Sequence, residues 1–162
     1  MIPDTPDWTR ELCSLLEEEI RVATLLWGAI KREREALRAR DADALTSASG
    51  VKQQCLAELD ALDKDRRQML EMAGLPSDRA ALDKYLETVP DNHPVAYRWQ
   101  RLIGLFEQCR QANIANGQMV AIQRSHVERA LRVLRTGNPD TLTYGPDGSH
   151  ASGAGSRTLS SA

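Results

Sequence analysis

Few side chains in this sequence could do covalent or proton-transfer chemistry. His93, His126 and His150 stand far apart in a turn, on a helix and in the C-terminal segment, and none has a nucleophile and an acid at triad spacing. Cys13, Cys55 and Cys109 are an odd number with wide spacing and no neighbouring His or second Cys, which fits buried thiols rather than a metal or redox site. No phosphate-binding loop, dinucleotide glycine fingerprint or metal-spaced cluster is present, and most carboxylates alternate with Arg and Lys as on a solvated helix face. These absences predict no enzyme and no cofactor.

The more informative polar residues interrupt apolar patterns. Glu19 and Glu33 occupy positions where three-and-four spacing calls for apolar side chains, and Lys52 and Arg66 do the same further on. In an antiparallel helical hairpin, facing residues keep a constant sum of residue numbers. Pairing Glu19 with Arg66 and Glu33 with Lys52 satisfies that rule and centres the reversal between Ala42 and Asp43. Such pairs set register more than they add stability. Asn113 breaks a later seam in the same way, and Gly117 beside it suggests a close approach by another helix or a bound segment.

The elements that must position these residues are helices. From Trp8 to Arg40, Leu12, Leu16, Val22, Leu26 and Ile30 recur at helical spacing. Asp41 is a suitable N-cap for a second helix through Ala48, Cys55, Leu59 and Met69, which Gly74-Leu75-Pro76-Ser77 ends; the alternative is one helix unbroken through Asp41. Ser77 can cap a short connector helix through Leu86. A third long helix is expected from Val95 to Arg135, where Trp99, Phe106, Asn113, Val120, Val127 and Leu134 keep a seven-residue repeat. The predicted fold is all-α: an elongated antiparallel bundle, comprising a hairpin, a connector and a third long helix, over 1–135. A flexible Gly/Ser/Pro-rich tail is expected over 136–162, too polar to offset chain entropy by burial.

Only seven of the 162 residues are aromatic, which disfavours a β-sandwich or barrel. A formal charge of -2 supplies no net attraction for nucleic acid or an anionic membrane. The longest nearly apolar run, Val22 to Ile30, is too short to span a bilayer, so no membrane insertion is predicted. The first residues lack the features of a signal peptide, which predicts a cytoplasmic protein. Arg124, Arg129, Arg132 and Arg135 crowd the end of the third helix, either as a solvated face or as a nucleic-acid patch.

Three stretches together resemble the FlgN family of flagellar export chaperones. They are Glu33-Arg34-Glu35-Ala36-Leu37 with Asp41, Leu45, Lys52, Leu59 and Arg66; Asn113-Ile114-Ala115-Asn116-Gly117; and Leu142-Thr143-Tyr144-Gly145-Pro146-Asp147-Gly148. The resemblance implies a cytoplasmic chaperone that covers the C-terminal helical segments of the hook-filament junction proteins FlgK and FlgL and delivers them to the export gate. It also implies docking of the tail tyrosine, here Tyr144 with Leu142 and Gly145, on the gate protein FlhA. The apolar stripe Val120, Val127, Leu131 and Leu134 is the candidate cargo surface, against the alternative that it completes the bundle core. The competing functional classes are a structural or regulatory coiled-coil adaptor and an RNA-binding regulator.

Overall fold

In the computed structural model, residues 6–75, 77–90 and 93–136 are described, Ala81 by its backbone alone. They form four helices, α1 (Pro6–Ala39), α2 (Ala42–Met72), α3 (Arg79–Leu86) and α4 (Pro94–Thr136), and no strand. The described chain divides into two units, one through Ile122 and one from Gln123. The expected tail, from residue 137 onward, lies outside the described residues.

α1 begins with Pro6, whose fixed φ suits a first helical position, and Asp7 lies in the first turn, where its charge complements the helix dipole. The helix ends by a local hydrogen-bond device. The Asp41 N–H donates to the Ala36 carbonyl (3.0 Å) and the Arg40 N–H to the Leu37 carbonyl (3.4 Å), while Arg40 takes the left-handed φ of 55°. Asp41 then adopts an extended conformation and caps α2, its carboxylate accepting from the Ala44 N–H at 2.9 Å. Two residues therefore reverse the chain, and the unbroken helix is excluded. α2 ends in the same way: the Leu75 N–H donates to the Leu70 carbonyl (2.9 Å) and the Gly74 N–H to that of Glu71 (2.9 Å), with Gly74 at φ 74°.

The reversal falls at Arg40–Asp41, two positions before the expected centre, although both predicted ion pairs form. Side chains lean toward the N-terminus of their own helix, so each surface spot is covered by a residue about one position further along its chain. Applied to both helices, that lean moves the apparent centre by about one residue. The long Lys52 and Arg66 side chains can reach the remainder.

α3 starts at Arg79, which puts the position before the helix on Asp78 rather than Ser77. Leu82 and Tyr85 are buried, and the Tyr85 ring meets Trp8 of α1 edge-on at 5.8 Å. Asp83 accepts from the indole N–H of Trp99 at 2.6 Å. The connector thus ties the start of α1 to the start of α4. The core of the first unit comprises Leu12, Leu16, Val22, Leu26 and Ile30 from α1, Leu59 and Leu70 from α2, and Val95, Trp99 and Leu102 from α4.

Two sequence expectations about α4 need correction. Its deeply buried line is Val95, Leu102, Cys109 and Asn116, the companion of the repeat first identified; on that repeat Trp99 is buried, Phe106 half-buried and Asn113 exposed. The larger side chains drew attention to one line of the seam, while α4 is rotated so that the other faces α1. The buried asparagine is accordingly Asn116. Gly117 is exposed, and a Cβ there would meet nothing within 4 Å, so no helix among the described residues approaches it closely.

The two hairpin ends differ in one residue type. Arg40→Gly is expected to raise the unfolding free energy by about 0.5–1 kcal/mol, because glycine adopts the left-handed conformation without a Cβ clash. Gly74→Ala is expected to lower it by about 1 kcal/mol, and urea titration of both variants checks the opposite signs.

Candidate functional site

The polar residues that interrupt the helical seams meet in two clusters within the first unit. In the first, Glu19 accepts from the Arg66 Nε at 3.1 and 3.2 Å with both side chains buried, Arg66 also donates to Asp63, and its guanidinium lies 5.1 Å from the Trp99 ring centre. In the second, Glu33 accepts from the Lys52 Nζ at 2.6 Å and from the Asn116 Nδ2 at 2.8 Å. Asn116 Nδ2 also donates to the Ile30 carbonyl (2.9 Å), while its Oδ1 accepts from the Arg34 Nε (3.0 Å). Lys52 reaches Asn113 Oδ1 at 3.2 Å. Each cluster joins α1, α2 and α4, and the chemistry of both is satisfied within the chain. They are positioning devices.

Burial pushes the Glu19 carboxyl above its ordinary value of 4.5, despite the Arg66 charge and hydrogen bonds that oppose it. For Glu33 burial acts in the same direction, but hydrogen bonds from Lys52 and Asn116 and the Lys52 charge outweigh it and leave the carboxyl below 4.5. All three cysteines are buried, and burial is the first cause raising each thiol. Cys109 Sγ lies 3.8 Å from the Ala23 carbonyl.

Two of the open apolar surfaces among the described residues stand out. One is a groove in the first unit, with a volume of about 500 Å³, lined by Leu26, Ile30, Leu56, Leu59, Phe106 and Cys109 among others. Sequence reading missed it: Leu56 lies off the α2 stripe, and only the structure shows its side chain half-exposed there. The other lies on α4, where no residue beyond Asn116 is buried. In the first unit Val120 is 49% exposed; in the second, Val127 is 59%, Leu131 47% and Leu134 81% exposed, so none of these four belongs to a core. Val127, Leu131 and Leu134 share a face at helical spacing. Arg124 pairs with Glu128 at 2.9 Å. Leu142, Tyr144 and Gly145 lie outside the described residues.

The model of the FlgN protein family matches residues 1–152. The chain belongs to the FlgN family. That match includes Leu142, Tyr144 and Gly145. The chain is also 45% identical over 60 residues to the flagella synthesis protein FlgN of Yersinia enterocolitica, a match spanning 37% of this chain and 40% of the relative's length. The corresponding protein of Yersinia enterocolitica serotype O:8 gives the same values. The fold is similar to the crystal structure of a flagella synthesis protein FlgN from Pseudomonas aeruginosa, with a TM-score of 0.61 and 31% identity over 74% of this chain and 90% of that one. Among the described residues of this FlgN-family chain, no helix is long and apolar enough to cross a membrane.

The two buried glutamates should respond oppositely to acid. Glu33, with its folded pKa lowered, contributes stability that is complete above its ordinary 4.5 and is lost as pH falls toward the folded value. Glu19, with its pKa raised, takes up its proton earlier in the folded state, which favours folding as pH falls through that higher value. Glu33→Gln is therefore expected to flatten the loss of stability below pH 4.5, and Glu19→Gln to steepen the overall loss on acidification. Urea midpoints measured from neutral pH downward test both signs.

Proposed function

We propose that this chain is a cytoplasmic flagellar export chaperone that covers the C-terminal helical segments of the junction proteins FlgK and FlgL, stops them from self-associating, and delivers them to FlhA at the export gate. The observation that carries the reading is the exposed apolar face of Val127, Leu131 and Leu134 on α4, with Val120 exposed in the first unit, in a chain of the FlgN family. Exposed aliphatic side chains at helical spacing suit an amphipathic helix docked by its own apolar stripe, and binding of this kind remains reversible. The Yersinia and Pseudomonas relatives, both flagella synthesis proteins, support the flagellar context.

The gate-docking part of the proposal rests on Tyr144, flanked by Leu142 and Gly145. The order Tyr144-Gly145-Pro146-Asp147-Gly148 has turn-forming chemistry, and a tyrosine ring suits a small transient interface because it combines apolar area with one polar contact.

Titration of the chaperone with a FlgK C-terminal segment tests the cargo surface. Val127→Asp with Leu131→Asp is expected to weaken binding at least tenfold while changing the unfolding free energy by no more than about 1–1.5 kcal/mol, since both sites are exposed. Unchanged affinity would remove this surface from the proposal, and a chain that self-associates stably without binding the segment would support an adaptor. Tyr144→Ala is expected to keep cargo affinity and thermal unfolding while weakening capture of the loaded chaperone by the FlhA cytoplasmic domain; unchanged capture would refute the docking role.

A further inference from the structure

The groove in the first unit ends where the two polar clusters begin. Glu19 and Asp63 line one end of it and Lys52 and Asn113 the other, with Leu26, Leu56 and Phe106 between them. From Lys52 to Asp63 the α2 wall runs about 16 Å, at about 1.5 Å per residue. Walls on α2 and α4 over a floor on α1 leave a slot of the kind that one more helix fills in a bundle. Leu56 is 50% exposed on its wall, so the slot is open from outside.

The same chain carries a helix that suits it. Val127, Leu131 and Leu134 in the second unit form an exposed stripe about 10 Å long, short enough to lie between the two polar clusters. The two units also differ in the sign of their charge. Residues 123–136 hold four arginines against Glu128 alone, whereas residues 1–122 hold 16 Lys and Arg against 20 Asp and Glu. Charges on the rim of the groove are already paired within the chain, Asp60 with Lys64 at 2.8 Å and Arg110 with Glu107 at 2.7 Å, so the attraction comes from these net charges rather than from a new ion pair.

We infer that the second unit's part of α4 docks, by Val127, Leu131 and Leu134, in the first-unit groove beside Leu56 of a second copy of this chain. A single short helix buries less than the roughly 1,200 Å² of a stable interface, which makes the association weak and reversible. The contact is heterologous, since each copy offers a groove and a stripe and neither surface meets its own kind. It uses the stripe proposed for cargo, so a cargo helix and a second copy exclude one another there, but self-association does not depend on the chaperone reading.

Sedimentation of the full chain without cargo, from about 5 µM to about 200 µM, tests the contact. The parent is expected to rise from monomer mass toward larger species over that range, and about 0.5 M salt should weaken association about fivefold relative to about 0.05 M. Leu56→Asp and Leu131→Asp should each remain monomeric, one lacking the groove and the other the stripe, while far-UV circular dichroism shows the parent's helix content in both. Mixed in equal amounts they should associate again, because the intact stripe of the first fits the intact groove of the second, and growth should stop at two copies. Leu56→Gln and Leu131→Gln repeat the series without adding charge. A parent that stays monomeric at every concentration, association unmoved by salt, association unmoved by both Leu56 variants, as two stripes packed on each other would give, or a mixture that fails to pair would overturn the inference.

Discussion

A carboxylate cannot stay ionised in a helical core without partners, and Glu19 and Glu33 impose that requirement on the first unit. Glu19 is 1% exposed and Glu33 7% exposed. Leaving either unpaired would cost several kcal/mol, and the partners that prevent it come from two other helices. Arg66 brings α2 against Glu19 and carries its guanidinium across the face of Trp99 on α4. Lys52 and Asn116 converge on Glu33 from the same two helices. Any slip of one helix along another would break both clusters at once, so the polar layers fix register while Leu12, Leu16, Leu70 and Leu102 supply the apolar burial.

Much of this was legible before any coordinates, because it depends on local chemistry with a fixed period. Four charged residues out of place in apolar stripes, two of each sign, identified the hairpin and both of its ion pairs. Asp41 announced the start of α2 and Gly74 the end, since capping needs particular side chains. The rotation of α4 was not legible. Two parallel lines of its seam repeat every seven residues, and which one faces inward depends on where α3 delivers the chain. The Trp99 N–H on Asp83 and the Asn116 amide on Ile30 are long-range contacts with no signature in local spacing. Gly117 lacks the neighbouring helix expected of it for a related reason: a glycine within a helix signals spare room without telling what occupies it.

The candidate site was legible in residue type more than in geometry. Val127, Leu131 and Leu134 were visible as a stripe, but periodicity alone cannot distinguish a stripe covered by the chain from one left open. Burial makes that distinction, because no α4 residue beyond Asn116 is buried. The groove beside Leu56 had no comparable sequence signal, since its lining comes from three helices and depends on their separation.

The two-residue link at Arg40–Asp41 also sorts the contacts of the first unit by their distance along the chain. α1 and α2 meet through contacts that zip outward from a capped reversal, so the hairpin closes at low cost in chain entropy as soon as both helices exist. The part of α4 in the first unit runs parallel to α1, as the matches of Glu17 with Arg98 and Ile30 with Asn116 show, so these contacts with α1 join residues more than 80 positions apart. Lys52 lies 19 residues from Glu33 and Asn116 lies 83, so the hydrogen-bond shell of Glu33 is made of one contact within the hairpin and one that needs α4. The last long helix in the sequence therefore completes a hydrogen-bond shell begun by the first two, and one asparagine serves as its latch.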